Sequence, residues 1–296
     1  MTGVQTCALP IWIPVILAYG RKFGDNGLLE FSQKVACKNI ADAVCGKSPS
    51  YRIDHLNSII HLIEESGKPS DVLDAQGYYS FNEHVFMANI QSEIYGRRYT
   101  YALLMLLEYK YKDKSEWKDF GTTSIEHILP QNPKATSQWV KDFSEEQRSY
   151  YTHRIGNLCL IGRRKNSSLG NLDYQEKLKK YFEKNIGSFA SSQKIHQTYP
   201  NAWTPETVKE NQERVIQDLM EIFGIKSPST IIDDSTYMEQ QRSVYPNAYK
   251  PWTESDDERL VALYNEGKSI SELAQMFLRN HGAIKSRILK LTGERF

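Results

Sequence analysis

Apolar residues recur at helical spacing from Gly27 to Gly46, where Leu28, Phe31, Val35, Ile40 and Val44 fall on one face, and again from Ile53 to Ile63. Two further runs, Phe81 to Tyr95 and Tyr101 to Tyr109, extend this aromatic-rich helical pattern. Such stripes predict a helical packing unit whose apolar side is its core. After about residue 120 the period shortens. Ser124 to Leu129 and Ile155 to Ile161 read as strands on either side of a long polar loop, and a lysine-rich helical stretch follows from Asn166 to Lys184. Trp203 to Phe223 reads as a helix with Thr204 as N-cap, Pro205 at its first position and Gly224 as its stop.

Ser227 to Pro246 is polar without a sustained period and reads as a linker. Beyond it, Thr253 and Asp256 form a capping-box signature ahead of Leu260, Leu263 and Tyr264. Gly267 ends that helix, Ser269 to Phe277 gives a second, Leu278 to Asn280 a turn, and His281 to Leu291 a third. The boundaries expected are a helical region at 13–115, a compact α+β region at 116–226, a linker at 227–246 and a three-helix unit at 247–296. Residues 1–12 are set aside, because Met1 to Ile11 resemble translated sequencing-adapter sequence; the natural N-terminus is expected to lie elsewhere.

Length and composition limit the function classes. At 296 residues the chain has room for two domains. With 37 Lys+Arg against 36 Asp+Glu its net charge is +1, which excludes histone-like basicity and leaves local patches as the evidence about partners. Four cysteines, Cys7, Cys37, Cys45 and Cys159, include no CxxC pair, which argues against a zinc ribbon or a disulfide scaffold. The longest apolar run, Cys7 to Ala18, is broken by Pro10 and Pro14 and is too short to span a bilayer. Gly46-Lys47-Ser48 and Gly267-Lys268-Ser269 imitate the end of a phosphate loop, but each lacks the earlier glycine and the preceding strand.

Candidate chemistry lies in Ile125-Glu126-His127-Ile128-Leu129-Pro130-Gln131, then Ile155-Gly156-Asn157-Leu158-Cys159-Leu160-Ile161, then Arg163-Arg164-Lys165-Asn166-Ser167. A single Glu-His pair is weak evidence, since a histidine near a strand end is commonly a structural hydrogen-bonder. As an ordered set, however, the residues resemble an HNH nuclease motif of the ββα-metal type. More closely they resemble the C-terminal nuclease region of GmrSD-like, modification-dependent restriction proteins, a resemblance that includes Asn166-Ser167-Ser168-Leu169-Gly170-Asn171, Lys177, Tyr181 and Trp203-Thr204-Pro205-Glu206 and covers roughly residues 20 to 224.

The resemblance implies an embedded ββα-metal core, which with the periodic helices makes the chain α+β and predominantly helical, and the pattern after residue 247 adds a separate C-terminal three-helix bundle. It implies a cytoplasmic DNA endonuclease for phage defence, with modified DNA as substrate; no membrane association is expected, from the apolar runs alone. His127 would be the general base, Asn157 would hold the loop that orients His127, and Glu126 with Asn166 would ligate Mg²⁺ or Mn²⁺. These residue types suit phosphodiester hydrolysis, because an imidazole with ordinary pKa of about 6.5 accepts a proton near neutrality, and carboxylate and amide oxygens are hard ligands. Asn166 stands where a histidine often completes the HNH name. The family places a nucleoside-triphosphate-dependent sensor before the nuclease, and no residues here resemble its front part, so an NTPase partner or domain is implied.

On a regular strand Glu126 and His127 point to opposite faces, so extended geometry should end near them, in keeping with Pro130. Segment 163–184 holds seven basic against three acidic residues, a local +4, and Arg163, Arg164 and Lys165 are the expected phosphate contacts because they adjoin Asn166. His153 and Arg154 are read as a solvated surface pair, and Cys159 as a buried structural thiol. The C-terminal helices resemble a helix-turn-helix or Myb-like module, with Arg279, Lys285, Arg287 and Lys290 on or before the third helix as DNA contacts. Two readings stay open there: a DNA reader, or a protein-interaction bundle cored by Ile284, Ile288 and Leu291. For the whole chain the competing reading is a silent DNA- or partner-binding protein that keeps a nuclease fold.

Overall fold

The computed structural model describes residues 10–112, 123–162, 169–182, 189–226 and 242–293. The fold is α+β and predominantly helical, with a two-stranded sheet. No described helix is long and apolar enough to cross a membrane. Contacts within the chain cluster into two compact units, one formed by 1–131 with 153–227 and the other by 132–152 with 228–296.

In the first unit α1 (Ile13–Phe23), α2 (Leu28–Val44) and α3 (Pro49–Glu65) enclose Val15, Tyr19, Phe31, Val35, Leu56, Ile59 and Ile63. Short helices α4 (Pro69–Leu73) and α5 (Gln76–Tyr79) lead to α6 (Glu83–Ile90) and α7 (Thr100–Tyr111). The expected run Phe81 to Tyr95 is shorter as a helix, because Asn82 caps its start by accepting from Val85 N and the chain turns after Ile90. Strand β1 (Thr123–His127) follows. In the second unit come α8 (Gln138–Asp142) and α9 (Glu145–Tyr151), after which the first unit resumes with the 3-10 turn Ile155–Asn157 and β2 (Leu158–Gly162). The first unit continues through α10 (Tyr174–Phe182), α11 (Ala190–Thr198) and α12 (Pro205–Phe223).

The polar loop expected between the strands therefore contains two helices. Each has two turns or fewer, too short to display a 3.6 period, although Ser144 and Gln147 carry a capping box that marks the start of α9. The strands pair antiparallel, with Glu126 opposite Cys159 and His127 opposite Leu158. Ile155 begins a 3-10 turn rather than a strand.

A core beneath the hairpin joins Ala41 and Val44 of α2, Phe86 and Ile90 of α6, Leu103, Leu104 and Leu107 of α7, Ile155, Leu158 and Leu160, and Val215 and Leu219 of α12. Helix α2 thus contributes to two cores of this unit. Glu108, buried at the end of α7, accepts from Ala190 N and Ser191 N at 2.9 and 2.8 Å, so one carboxylate satisfies two unpaired amides at the start of α11. Thr204 caps α12 as expected, and Gly224, at φ +70°, closes it in the left-handed conformation.

The second unit's C-terminal helices are α13 (Glu254–Asn265), α14 (Ile270–Phe277) and α15 (His281–Thr292), packed around Leu260, Leu273, Ala274, Phe277, Ile284 and Ile288. Thr253, Ser269 and Asn280 cap them in turn. Ser269 is the serine of one phosphate-loop lookalike, and Ser48 of the other caps α3. Leu291 is 38% exposed and stands outside this core.

Candidate active site

The site is built where β1 ends. Asn157, fully buried, donates Nδ2–H to Leu129 O at 3.0 Å and accepts on Oδ1 from Leu129 N at 2.7 Å and from Trp203 Nε1 at 3.2 Å. Its own carbonyl accepts from Ile128 N at 3.0 Å. The two residues after His127 are thereby pulled out of the ladder onto one asparagine, and extended geometry stops there. Gly156 precedes Asn157 for a steric reason: a Cβ on it would lie 2.6 Å from Gln212 Cα of α12. Gln212 Oε1 accepts from Gly156 N, and Asn211 Nδ2 donates to Gly156 O, each at 2.6 Å, so α12 clamps the turn.

Glu126 and His127 engage different neighbours, as strand alternation requires. Glu126 Oε1 accepts from Lys177 Nζ of α10 at 2.7 Å, with both side chains buried. The same ammonium donates to His127 O at 2.8 Å and Ile128 O at 3.1 Å. Lys177 was legible as part of a basic stretch and of the family resemblance, but with no role at the site. Its place three residues after the buried Tyr174 and next to the half-buried Leu178 is the signal that could have separated it.

The His127 ring lies against His153 and Tyr95. Its Nε2 is 3.3 Å from His153 Nδ1, and its Nδ1 is 3.3 Å from Gln131 Nε2. The Tyr95 ring meets His127 edge-on at 4.2 Å between centroids and stacks on His153 at 5.4 Å. Gln131 is exposed, so the Nδ1 side of His127 opens toward solvent. Burial, then His153, then Lys177 push the His127 pKa down to about 3; burial lowers that of His153. Both rings are neutral at pH 7. With the Gln131 amide nitrogen facing Nδ1, the contacts suit the tautomer of His127 that carries its proton on Nε2 and donates to His153.

His153 and Arg154 are not the solvated surface pair expected. His153 is half-buried in the site, and Arg154 is 2% exposed, with its guanidinium on Gln91 O. Cys159 is 1% exposed inside β2. Arg163, Arg164, Lys165 and Asn166 lie outside the described residues.

Among the described residues no three His, Cys, Asp or Glu side chains gather as a metal-binding group. The chemistry of the expected donors, the Glu126 carboxylate and the Asn166 amide oxygen, fits a hard divalent cation, with Glu126 sharing its charge with Lys177.

In the C-terminal helices the four expected DNA contacts separate. Arg279 is 5% exposed; its guanidinium donates to Lys250 O and Pro251 O at 2.8 and 2.9 Å and covers the Trp252 ring at 4.2 Å. These contacts hold it inside the bundle, away from any surface reader role. Arg287 donates Nε–H to Asp257 Oδ1 at 2.6 Å and pairs a second nitrogen with Oδ2. Lys285 and Lys290 are exposed on α15.

Comparison with family models finds a match for the region around the hairpin. The family that matches, over residues 82–218, is described as the GmrSD restriction endonucleases, C-terminal domain. The match opens at the Asn82 cap and ends in α12, so it contains the whole Glu126–His127–Asn157–Lys177 site and excludes α1 to α5 and the C-terminal helices. No curated protein and no solved structure matches the chain.

Proposed function

We propose that this chain is an HNH-type DNA endonuclease of a modification-dependent restriction system, with His127 as the general base. The observation that carries the reading is a neutral imidazole held by named contacts at a strand end that Asn157 bends, within a region matching a restriction-endonuclease domain. A water that displaces the Gln131 amide at Nδ1 gives up its proton there and attacks phosphorus, whose bond to the 3′-oxygen breaks, and the departing alkoxide takes a proton from solvent. The Nε2–H of the resulting imidazolium stays on neutral His153, which keeps the ring oriented as it gains charge. An anionic phosphate beside the ring counters burial and Lys177, and raises its basicity when substrate binds.

Glu126 and Asn166 would hold a Mg²⁺ or Mn²⁺ ion, which when bound neutralises charge on the phosphate. Lys177 fixes Glu126 and the His127–Ile128 carbonyls together, and so sets the spacing of carboxylate and imidazole. Arg163, Arg164 and Lys165, with Lys285 and Lys290 of the C-terminal bundle, supply phosphate contacts. Modified DNA as substrate, an NTPase sensor as partner and a cytoplasmic setting complete the reading.

One observation favours a silent nuclease fold instead: the Glu126 carboxylate is engaged by a buried ammonium. Plasmid nicking by the purified chain separates the two. Cleavage that requires Mg²⁺ or Mn²⁺, stops with EDTA and disappears in His127→Ala supports the enzyme. DNA binding without cleavage in any divalent metal supports the silent fold.

A further inference from the structure

We propose that the turn Tyr95-Gly96-Arg97-Arg98 is a second DNA-binding element of the His127 site, where Arg97 and Arg98 take duplex backbone phosphates beside the scissile one. The inference rests on the nuclease reading above.

Four observations carry it. The turn is fastened to the site: Ile94 N and Tyr95 N both donate to His153 O, at 3.0 and 3.1 Å, and the Tyr95 ring touches both imidazoles. Its direction is set by Gly96, whose φ of +81° suits glycine and turns the chain back, with Arg97 N donating to Ile94 O at 3.0 Å. The two arginines that follow are exposed, and no hydrogen bond or ion pair holds either guanidinium among the described residues. Finally, no acidic residue occurs between Ile94 and Leu107, so no carboxylate of this segment opposes the two arginines. Glu93, the nearest acid, is half-buried and set against Arg154 as well as Arg97.

Reach is sufficient. Three residues of chain span at most about 11 Å, so both guanidinium groups stay within a few nucleotides of the imidazole at about 3.4 Å of rise per nucleotide. A surface arginine in a flexible loop gains little from one phosphate. A pair on a turn pinned to the base-bearing residues places the strand relative to Nδ1, which a distant basic patch cannot do.

The test measures binding and cleavage separately on the full chain. Fluorescence anisotropy with a labelled 20-base-pair duplex in EDTA, across a salt series, compares wild type, Arg97→Ala/Arg98→Ala, Arg21→Ala as an exposed control, and His127→Ala. The double variant should raise Kd about tenfold at 0.1 M salt and reduce the salt slope by roughly 1.8, which is 0.9 per lost phosphate contact, with unchanged Tm. Arg21→Ala should bind as wild type. Wild-type affinity and slope in the double variant, with cleavage still abolished by His127→Ala, would overturn the inference and leave the nuclease reading standing. A wild-type chain that binds no duplex would sink both.

Discussion

Lys177 reaches across from α10 to place its ammonium 2.7 Å from the Glu126 carboxylate, with no exposure of its own, and uses its remaining hydrogens on the carbonyls of His127 and Ile128. This ion pair fastens the helix to the strand end that bears the imidazole. Removing one member leaves the other charged and buried, which costs roughly 3–5 kcal/mol. Lys177→Met should therefore lower stability by about that much in urea denaturation, and Lys177→Met with Glu126→Gln should recover part of the loss. Equal destabilisation in the single and double variants would show that the pair is not coupled.

The Gly156–Asn157 step makes a sharper steric prediction. Gly156→Ala adds a Cβ within 2.6 to 2.8 Å of Gln212 atoms that include the α12 backbone, which cannot move aside cheaply. A loss of about 1–3 kcal/mol follows from overpacking alone. Asn157→Ala acts differently, because it leaves the Leu129 amide, the Leu129 carbonyl and the Trp203 indole unpaired at about 1–3 kcal/mol each. Both variants should lower Tm, but only Asn157→Ala should also disturb the His127 ring resonances in NMR while the α12 amide shifts stay close to wild type.

How far the sequence discloses all this depends on the interaction. Periodic apolar stripes give α2, α3, α7 and α12 nearly to their ends, and the caps at Thr204, Thr253 and Ser269 lie where residue chemistry puts them. Helices α8 and α9 are hidden, because five or seven residues complete too few turns for a period to emerge. His127 and Asn157 are legible through their motif. His153 is not: only folding brings it to Nε2 of His127 from 26 residues away. Arg279 misleads for the same reason, since a basic residue before a helix reads as a DNA contact until the Lys250 and Pro251 carbonyls are seen to receive it.

That contrast within the C-terminal helices is measurable. Arg279→Ala should destabilise the unit by about 2 kcal/mol or more, since two backbone carbonyls lose charge-assisted partners and Trp252 loses its cation. Lys285→Ala/Lys290→Ala, at exposed positions, should leave Tm within a degree or two and reduce the salt slope of duplex binding. If the lysine pair changes neither Tm nor binding, the bundle is a protein-interaction module.

Acid sensitivity follows from the buried imidazoles. Burial, then Lys177, hold His196 near a pKa of about 4, against about 6.5 in an unfolded chain; its ring sits 3.3 Å from the Tyr174 hydroxyl. A depressed histidine pKa means that the unfolded chain takes up the proton first. The stabilisation is complete above pH 6.5, declines as pH falls below it, and is gone once pH passes below about 4. Within that window each such histidine costs about 1.4 kcal/mol per pH unit. His127 and His153, shifted in the same direction, add to the slope. Urea denaturation at pH 7 and pH 5 should show wild type losing several kcal/mol, and His196→Gln, which cannot take up a proton, losing roughly 2 kcal/mol less over the same interval. A variant that loses as much as wild type would show that His196 is already solvated and protonated in the folded chain.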